Sequence, residues 1–251
     1  MKTLLHNKTA IITGSARGLG KAIAERYAAL GANIVINYSK DKTSAEEVVN
    51  TITSMGVKVI AVQADVTKVK EVERLFAEAK EAFGSIDIVV ANAGIELIQT
   101  PVTEFTEAQF DKVFNINVKG TYFTLQEAAR YISDKGRIIY ISSSTTTSPV
   151  PGMAVYGGSK TTPKYLVEIL AKEIGHRGVT VNSIIPGPVA NTGVFTEMST
   201  EDPFYKELLN GSPMGRLTTV DDVADLAEFF ASDLAGFVSG QHLLVNGGSQ
   251  Y

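Results

Sequence analysis

The sequence contains no cysteine, which excludes disulfides, thiolate nucleophiles and cysteine-ligated metals. Histidine is scarce. His6, His176 and His242 are too far apart for a spaced ligand motif, so no metal site is expected. No apolar run approaches membrane-spanning length, and residues 1–7 carry no apolar signal segment. A cytoplasmic protein without a membrane partner is the expectation. Positive charge is also in the minority: 23 Lys and Arg against 27 Asp and Glu give a net charge of −4. With no basic run interleaved with aromatics, a nucleic-acid partner is not expected.

What is present suits a single α/β domain over residues 1–251, long enough to bury a large core. Apolar runs predict strands at 10–13, 33–37, 57–62, 86–91, 137–141, 179–184 and 242–245. Helical periodicity predicts helices at 19–30, 44–55, 69–83, 107–133, 155–175 and 220–231, with Ser44 as N-cap of the second. Such alternation predicts a Rossmann-type, doubly wound parallel sheet of about seven strands, with helices on both faces.

Thr13-Gly14-Ser15-Ala16-Arg17-Gly18-Leu19-Gly20 joins the first strand to the first helix. Gly14 suits the tight turn, Gly18 the approach of a ligand to backbone, and Gly20 close helix–strand packing. The helix N-terminus behind them presents free N–H groups to a pyrophosphate. The spacing is wider than G-x-G-x-x-G. Asp65-Val66, Asn92-Ala93-Gly94 and Pro186-Gly187 follow three later strands, at the carboxyl ends where open α/β sheets bind ligands. Asp65 offers an acceptor for an adenine amino group.

Tyr156 and Lys160 stand four apart and share a helix face. The ammonium beside the ring is expected to favour the phenolate and make the phenol a usable acid–base group. Ser143 leaves the fifth strand thirteen residues before Tyr156, a span that can return the helix to the strand end. Asn117 lies in the largely apolar stripe of Phe110, Val113, Phe114, Thr121 and Leu125, where a buried amide needs partners. Gly157, Gly158 and Pro163 make the helix bearing Tyr156 a poor one by propensity, and Pro163 favours a kink.

Thr13-Gly14-x-x-x-Gly18-x-Gly20, Asn92-Ala93-Gly94, Asn117, Ser143, Tyr156-x-x-x-Lys160 and Pro186-Gly187, with Val245-Asn246-Gly247-Gly248, span almost the whole chain. In this order they resemble the short-chain dehydrogenase/reductase family. The resemblance implies that Tyr156 is the general acid–base, that Ser143 binds the substrate oxygen, and that Lys160 holds the nicotinamide ribose. It also implies that Asn117 anchors a water, and that the assembly is a homotetramer. Val189 and Thr192 would flank the nicotinamide, Thr192 standing in for a threonine expected at Asn191.

At the end of the second strand, Asn37-Tyr38-Ser39-Lys40 lacks the acid that would select a free ribose hydroxyl. With Arg17 in the glycine loop this resembles the NADP-preferring members, so NADP(H) is the expected cofactor. Residues 188–216 are too long for an ordinary connection and read as a lid. Phe195, Met198 and Phe204 from that lid are expected to meet Thr145, Val150 and Met153 across the substrate, with Glu96 adding a polar contact. The expected substrate is a small, partly apolar ketone or secondary alcohol. A 3-oxoacyl group on an acidic carrier protein is the alternative, disfavoured because Glu197, Glu201, Asp202 and Glu207 outnumber Lys206 and Arg216 in the lid. A non-catalytic nucleotide sensor is a reading of another class, which the presence of both Tyr156 and Lys160 opposes.

Overall fold

A computed structural model of the chain describes residues 4–196 and 198–250. The strands are β1 (Thr9–Ile12), β2 (Asn33–Tyr38), β3 (Val59–Gln63), β4 (Ile88–Ala91), β5 (Arg137–Ile141), β6 (Thr180–Pro186) and β7 (His242–Val245). The helices are α1 (Gly18–Ala29), α2 (Lys42–Ser54), α3 (Val69–Phe83), α4 (Glu107–Phe114), α5 (Thr121–Tyr131), α6 (Ala154–Glu173), α7 (Pro203–Asn210) and α8 (Val220–Ala231). The strands form one parallel sheet in the order β3-β2-β1-β4-β5-β6-β7.

Burial on both faces explains why the strand sequences are continuous apolar runs. Side chains alternate along each strand. Ala10, Ile12, Ile34 and Ile36 join the cluster around Ile23, Tyr27, Val223 and Phe230, under α1 and α8. Ile11 and Val35 join the opposite cluster of Leu75, Phe76, Leu125 and Val167, under α3, α5 and α6. Ile12 pairs with Ile36 on one side and Val90 on the other. The chain thus winds outwards in two directions from the β1–β4 boundary. A crevice opens at that switch point, beyond the strand ends, and ligands of open α/β sheets bind in such crevices.

Three elements depart from the sequence expectation. The helix predicted over 107–133 is α4 and α5 joined by a π-helical segment, Asn115–Gly120. Gly120 lets that segment lie on Val66, because a β-carbon there would stand 2.8 Å from a Val66 methyl. The N-cap of α2 is Asp41, whose carboxylate accepts the Ser44 N–H at 3.0 Å, so Ser44 lies inside the first turn. The lid carries a helix of its own, α7, with Pro203 in its first turn and Asp202 accepting the Phe204 N–H at 2.8 Å. Glu197 lies outside the described residues. α6 continues through Pro163 as one helix.

Candidate active site

β5 and α6 clasp each other at the centre of the crevice. The Tyr140 hydroxyl donates to the Lys160 carbonyl at 3.1 Å, and Lys160 Nζ donates to the Ile141 carbonyl at 3.0 Å. Lys160 Nζ stands 6.0 Å from the centre of the Tyr156 ring, as the four-residue spacing requires. Both side chains are buried. Burial pushes the Tyr156 phenol well above its ordinary value, the charge of Glu96 pushes it the same way, and Ser143 opposes them. Burial also lowers the Lys160 ammonium, to about 8, against the charge of Glu96. The expectation of a phenol depressed by Lys160 is therefore corrected: in the protein alone, desolvation and the charge of Glu96 raise it, opposed by Ser143.

Asn117 is buried and its amide is largely spent. Its oxygen accepts the Ile95 N–H at 2.8 Å, and its nitrogen donates to the Ile95 carbonyl at 2.9 Å and to Ser159 Oγ at 3.0 Å. Both N–H donors are thus taken by protein acceptors. The side chain bridges the segment after β4 to α6. Gly94 sits in the angle: a β-carbon there would lie 3.2 Å from both Asn117 Oδ1 and Lys160 Nζ.

The glycine loop is braced from beneath. Gly14 and Gly18 take left-handed backbones, with φ of 63° and 55°. Gly20 has no room for a side chain beside the Gly14 carbonyl. Asn92 Nδ2 donates to the carbonyls of Thr13 at 2.9 Å and Gly14 at 3.2 Å. The side chains of Ser15 and Asn37 do not face the crevice, although both were expected at the nucleotide. Ser15 Oγ donates to the Ile12 carbonyl and accepts the Asn37 N–H. Asn37 accepts the Gly14 N–H at 3.1 Å and donates to the carbonyls of Val62 and Ala64. Both are buried struts.

Above them the loop fits a dinucleotide. α1 starts without a side-chain cap, Arg17 being its N-cap residue, so its first N–H groups are available to phosphate oxygens. Arg17, Ser39 and Lys40 are exposed on the rim, and Tyr38 is half-buried beside them. Ser39 and Lys40 line a surface groove with Asp65, Thr67 and Arg74. Asp65 is half-buried, and one of its oxygens accepts the Thr67 N–H and hydroxyl at 3.0 and 2.8 Å. Val66 is buried against Gly120. Hydrogen bonds from Ser44 hold the Asp41 carboxyl below its ordinary range, and Arg17 adds to this by its charge. That acid shares the rim with the cations.

One cavity joins the rest. Ser143, Tyr156, Leu19, Pro186, Gly187, Val189 and Thr192 border it, together with Glu96, Thr145, Val150, Met153, Phe195 and Phe204. Met198 is not among the lining residues. Asn191 is exposed, in a left-handed backbone with φ of 58°, and Thr192 is the residue at the cavity. The Phe195 and Phe204 rings stack at 14° with centres 6.4 Å apart, giving the lid a flat aromatic underside. Glu96 ties the lid down, its Oε2 accepting the Val194 N–H at 3.0 Å. Ile98, Ser142 and Ser144 also line the cavity, and none was among the expected site residues, the two serines reading as a polar turn around Ser143. Ser142 Oγ is the one buried side-chain polar atom with no hydrogen-bond partner among the described residues.

A second polar chain lies elsewhere. Ser183 Oγ is 2.6 Å from His242 Nδ1, and His242 Nε2 is 3.0 Å from Glu168. The order imitates a hydrolytic triad, but Ser183 is fully buried within β6, so no substrate carbonyl reaches it. The chain clips α6 to the edge strand β7.

Residues 14–250 match the protein family described as enoyl-(acyl carrier protein) reductase. A hydroxynaphthalene reductase-like protein of Metarhizium brunneum is 38% identical, over 98% of this chain and 96% of its own. Versicolorin reductase 1 of Dothistroma septosporum is also 38% identical, over 98% and 97%. Among solved structures, a short-chain dehydrogenase of Burkholderia cenocepacia in complex with NADP superposes with a TM-score of 0.92. It is 32% identical, and the match covers 99% of this chain and all of that one.

Proposed function

The chain belongs to the short-chain dehydrogenase/reductase family, and from that premise we propose that it is an NADP(H)-dependent oxidoreductase acting on a small, partly apolar ketone or its secondary alcohol. One observation carries the reading: Ser143 and Tyr156 border the same cavity, whose remaining walls are mostly apolar and whose lid underside is aromatic. The names of the relatives as reductases support the reducing direction.

The residues fit the nucleotide. The N–H groups at the start of α1 meet its phosphates, Gly94 leaves space beside Lys160 for the ribose, and Arg17, Ser39 and Lys40 take the 2′-phosphate. Asp65, Val66, Asn92 and Ala93 would hold the adenosine, and Pro186, Gly187, Val189 and Thr192, which line the cavity with Tyr156, would hold the nicotinamide. When bound, the nicotinamide supplies the hydride that the carbonyl carbon receives. Tyr156 gives its proton to the carbonyl oxygen, and Ser143 donates a hydrogen bond to the same atom as charge develops on it. Burial keeps the phenol protonated at neutral pH, which suits a proton donor. Lys160, fixed by the Ile141 carbonyl, keeps further N–H donors for ribose hydroxyls.

A homotetramer in the cytoplasm completes the reading. Exposed Leu243 and Leu244 on the edge strand, and exposed Phe110, Tyr122 and Tyr165 on the helices, support self-association. Assaying a panel of ketones with NADPH and NADH tests the proposal. Turnover with a clear preference for NADPH is expected; preference for NADH overturns the nucleotide, and no turnover favours a sensor. The family description keeps one competitor in view, a thioester-linked acyl group on a carrier protein. Salt-sensitive turnover of a carrier-bound substrate, exceeding that of free ketones, would favour it.

A further inference from the structure

Ser143 lies two residues beyond the end of β5 in an extended backbone, φ −160° and ψ 148°, and leads into the short turn Ser144–Thr146. Its hydroxyl oxygen receives two hydrogen bonds from one residue. The Thr145 backbone N–H donates at 3.3 Å and the Thr145 hydroxyl at 3.0 Å. A hydroxyl has one proton and two lone pairs. With both lone pairs filled, Ser143 can act only as a donor, and Tyr156 borders the same cavity.

We propose that Thr145 is a positioning residue for the reaction: by filling both lone pairs of Ser143 it turns the Ser143 proton onto the substrate oxygen. The proposal rests on the roles given above to Ser143 and Tyr156. The neighbouring threonines show what sets Thr145 apart. Thr146 and Thr147 donate their hydroxyls to backbone carbonyls, those of Ser143 and Ser144, at 2.8 and 2.9 Å. Those bonds shape the turn. Thr145 spends its hydroxyl on a side chain that faces the cavity. Donation from Thr145 to Ser143 to the substrate oxygen also polarises each bond in sequence, strengthening the last one.

The catalytic helix holds Thr145 in place. A β-carbon at Gly157 would lie 3.4 Å from the Thr145 carbonyl oxygen and 3.5 Å from its Cβ, so α6 rests directly on this residue. The titratable groups that face Tyr156 are Glu96 after β4, Lys160 on α6 and Tyr140 on β5. None belongs to the turn, so replacing Thr145 by valine removes a hydroxyl and changes no charge.

The test compares Thr145→Val and Thr145→Ser, each alone and with Ser143→Ala, in reducing 2,2,2-trifluoroacetophenone with NADPH. Thr145→Val is expected to lower kcat about tenfold with KM nearly unchanged, part of what a direct donor contributes. Thr145→Ser is expected to restore the rate, and Thr145→Val to cost nothing further once Ser143 is alanine. A second readout needs no substrate: ultraviolet titration of Tyr156 in the NADP-bound protein, taken as the difference from Tyr156→Phe. Thr145→Val is expected to move that ionisation to higher pH, because the phenolate loses a strong donor. Melting temperature and NADPH affinity report that each variant folds. Equal losses with and without Ser143, failure of Thr145→Ser to rescue, or an unmoved phenol would each overturn the proposal. Full activity in Tyr156→Phe would instead remove the reading beneath it, which the Tyr156 titration does not need.

Discussion

Glu96 and Val194 are joined by one hydrogen bond, from the Val194 N–H to a Glu96 carboxylate oxygen at 3.0 Å. Through it the segment after β4 holds the lid, and a negative charge stands beside the acid–base pair. Glu96 raises both Tyr156 and Lys160. Neutralising it in Glu96→Gln keeps an acceptor for Val194 but removes the charge, so the phenol ionises more easily. The expected result is that the pH limb of alcohol oxidation, which needs the phenolate, moves down by roughly half to one unit. A pH–rate profile decides, and a limb that stays or rises contradicts the account. Gly193→Ala is expected to disturb the same latch. Its φ of 53° is left-handed, and the new methyl would strike the Glu96 carboxylate. A cost of about 1–2 kcal/mol in stability and a raised KM follow.

Lys160 sets a second pH dependence. Its ammonium is lowered to about 8 in the protein without nucleotide, so it carries charge below that pH and loses it above. NADPH carries anionic phosphates and ribose oxygens that favour the charged form. Affinity is expected to fall as pH rises through about 8, with proton uptake on binding in that window. Calorimetry in two buffers of different ionisation enthalpy measures both. In Lys160→Met the dependence is expected to vanish; if it persists there, another group is responsible.

Asn37 predicts the failure of an obvious redesign. An acid at the end of the second strand would select a free ribose hydroxyl, which makes Asn37→Asp attractive. Here the Asn37 amide faces the Val62 and Ala64 carbonyls, and its oxygen holds the Gly14 N–H. A carboxylate would set a buried charge against two carbonyl oxygens. A loss of about 3 kcal/mol or more is expected from urea denaturation, with no gain in NADH use. Arg17→Ala, on the exposed rim, is expected to lower efficiency with NADPH and leave NADH almost unaffected. An unchanged ratio would remove Arg17 from the phosphate site.

Gly158 is exposed in the body of α6, and a β-carbon there meets nothing within 4 Å. Gly158→Ala is expected to stabilise the chain by about 1 kcal/mol, read as a higher melting temperature. Gly157→Ala, which would press on Thr145, is expected to gain less. A lower melting temperature for Gly158→Ala would mean that the helix needs its flexibility there.

The sequence carried the sheet clearly, because runs such as Ile34-Val35-Ile36 are buried on both faces and leave one reading. Tyr156 and Lys160 were legible from helical spacing, and six of the seven expected substrate residues line one cavity. What stayed hidden depends on tertiary partners. The π-helical turn at Asn117 accompanies bonds to Ile95 and Ser159, which lie far off in the chain. The strut roles of Ser15 and Asn37 arise from mutual hydrogen bonds that no local pattern encodes. α7 has only two turns inside a long connection, too little periodicity to announce a helix. The direction of the Tyr156 shift depends on burial and on the charge of Glu96, neither of which helical spacing reveals.

Tyr156 acts as the proton donor in the proposed hydride transfer, a role that Tyr156→Phe isolates. The variant keeps the ring and its packing and removes only the hydroxyl. Steady-state reduction of a ketone with NADPH, measured alongside NADPH binding by fluorescence, gives both quantities. Turnover is expected to fall by about 10²-fold or more while nucleotide affinity stays within a few-fold of wild type. Near-normal turnover with intact binding would contradict it.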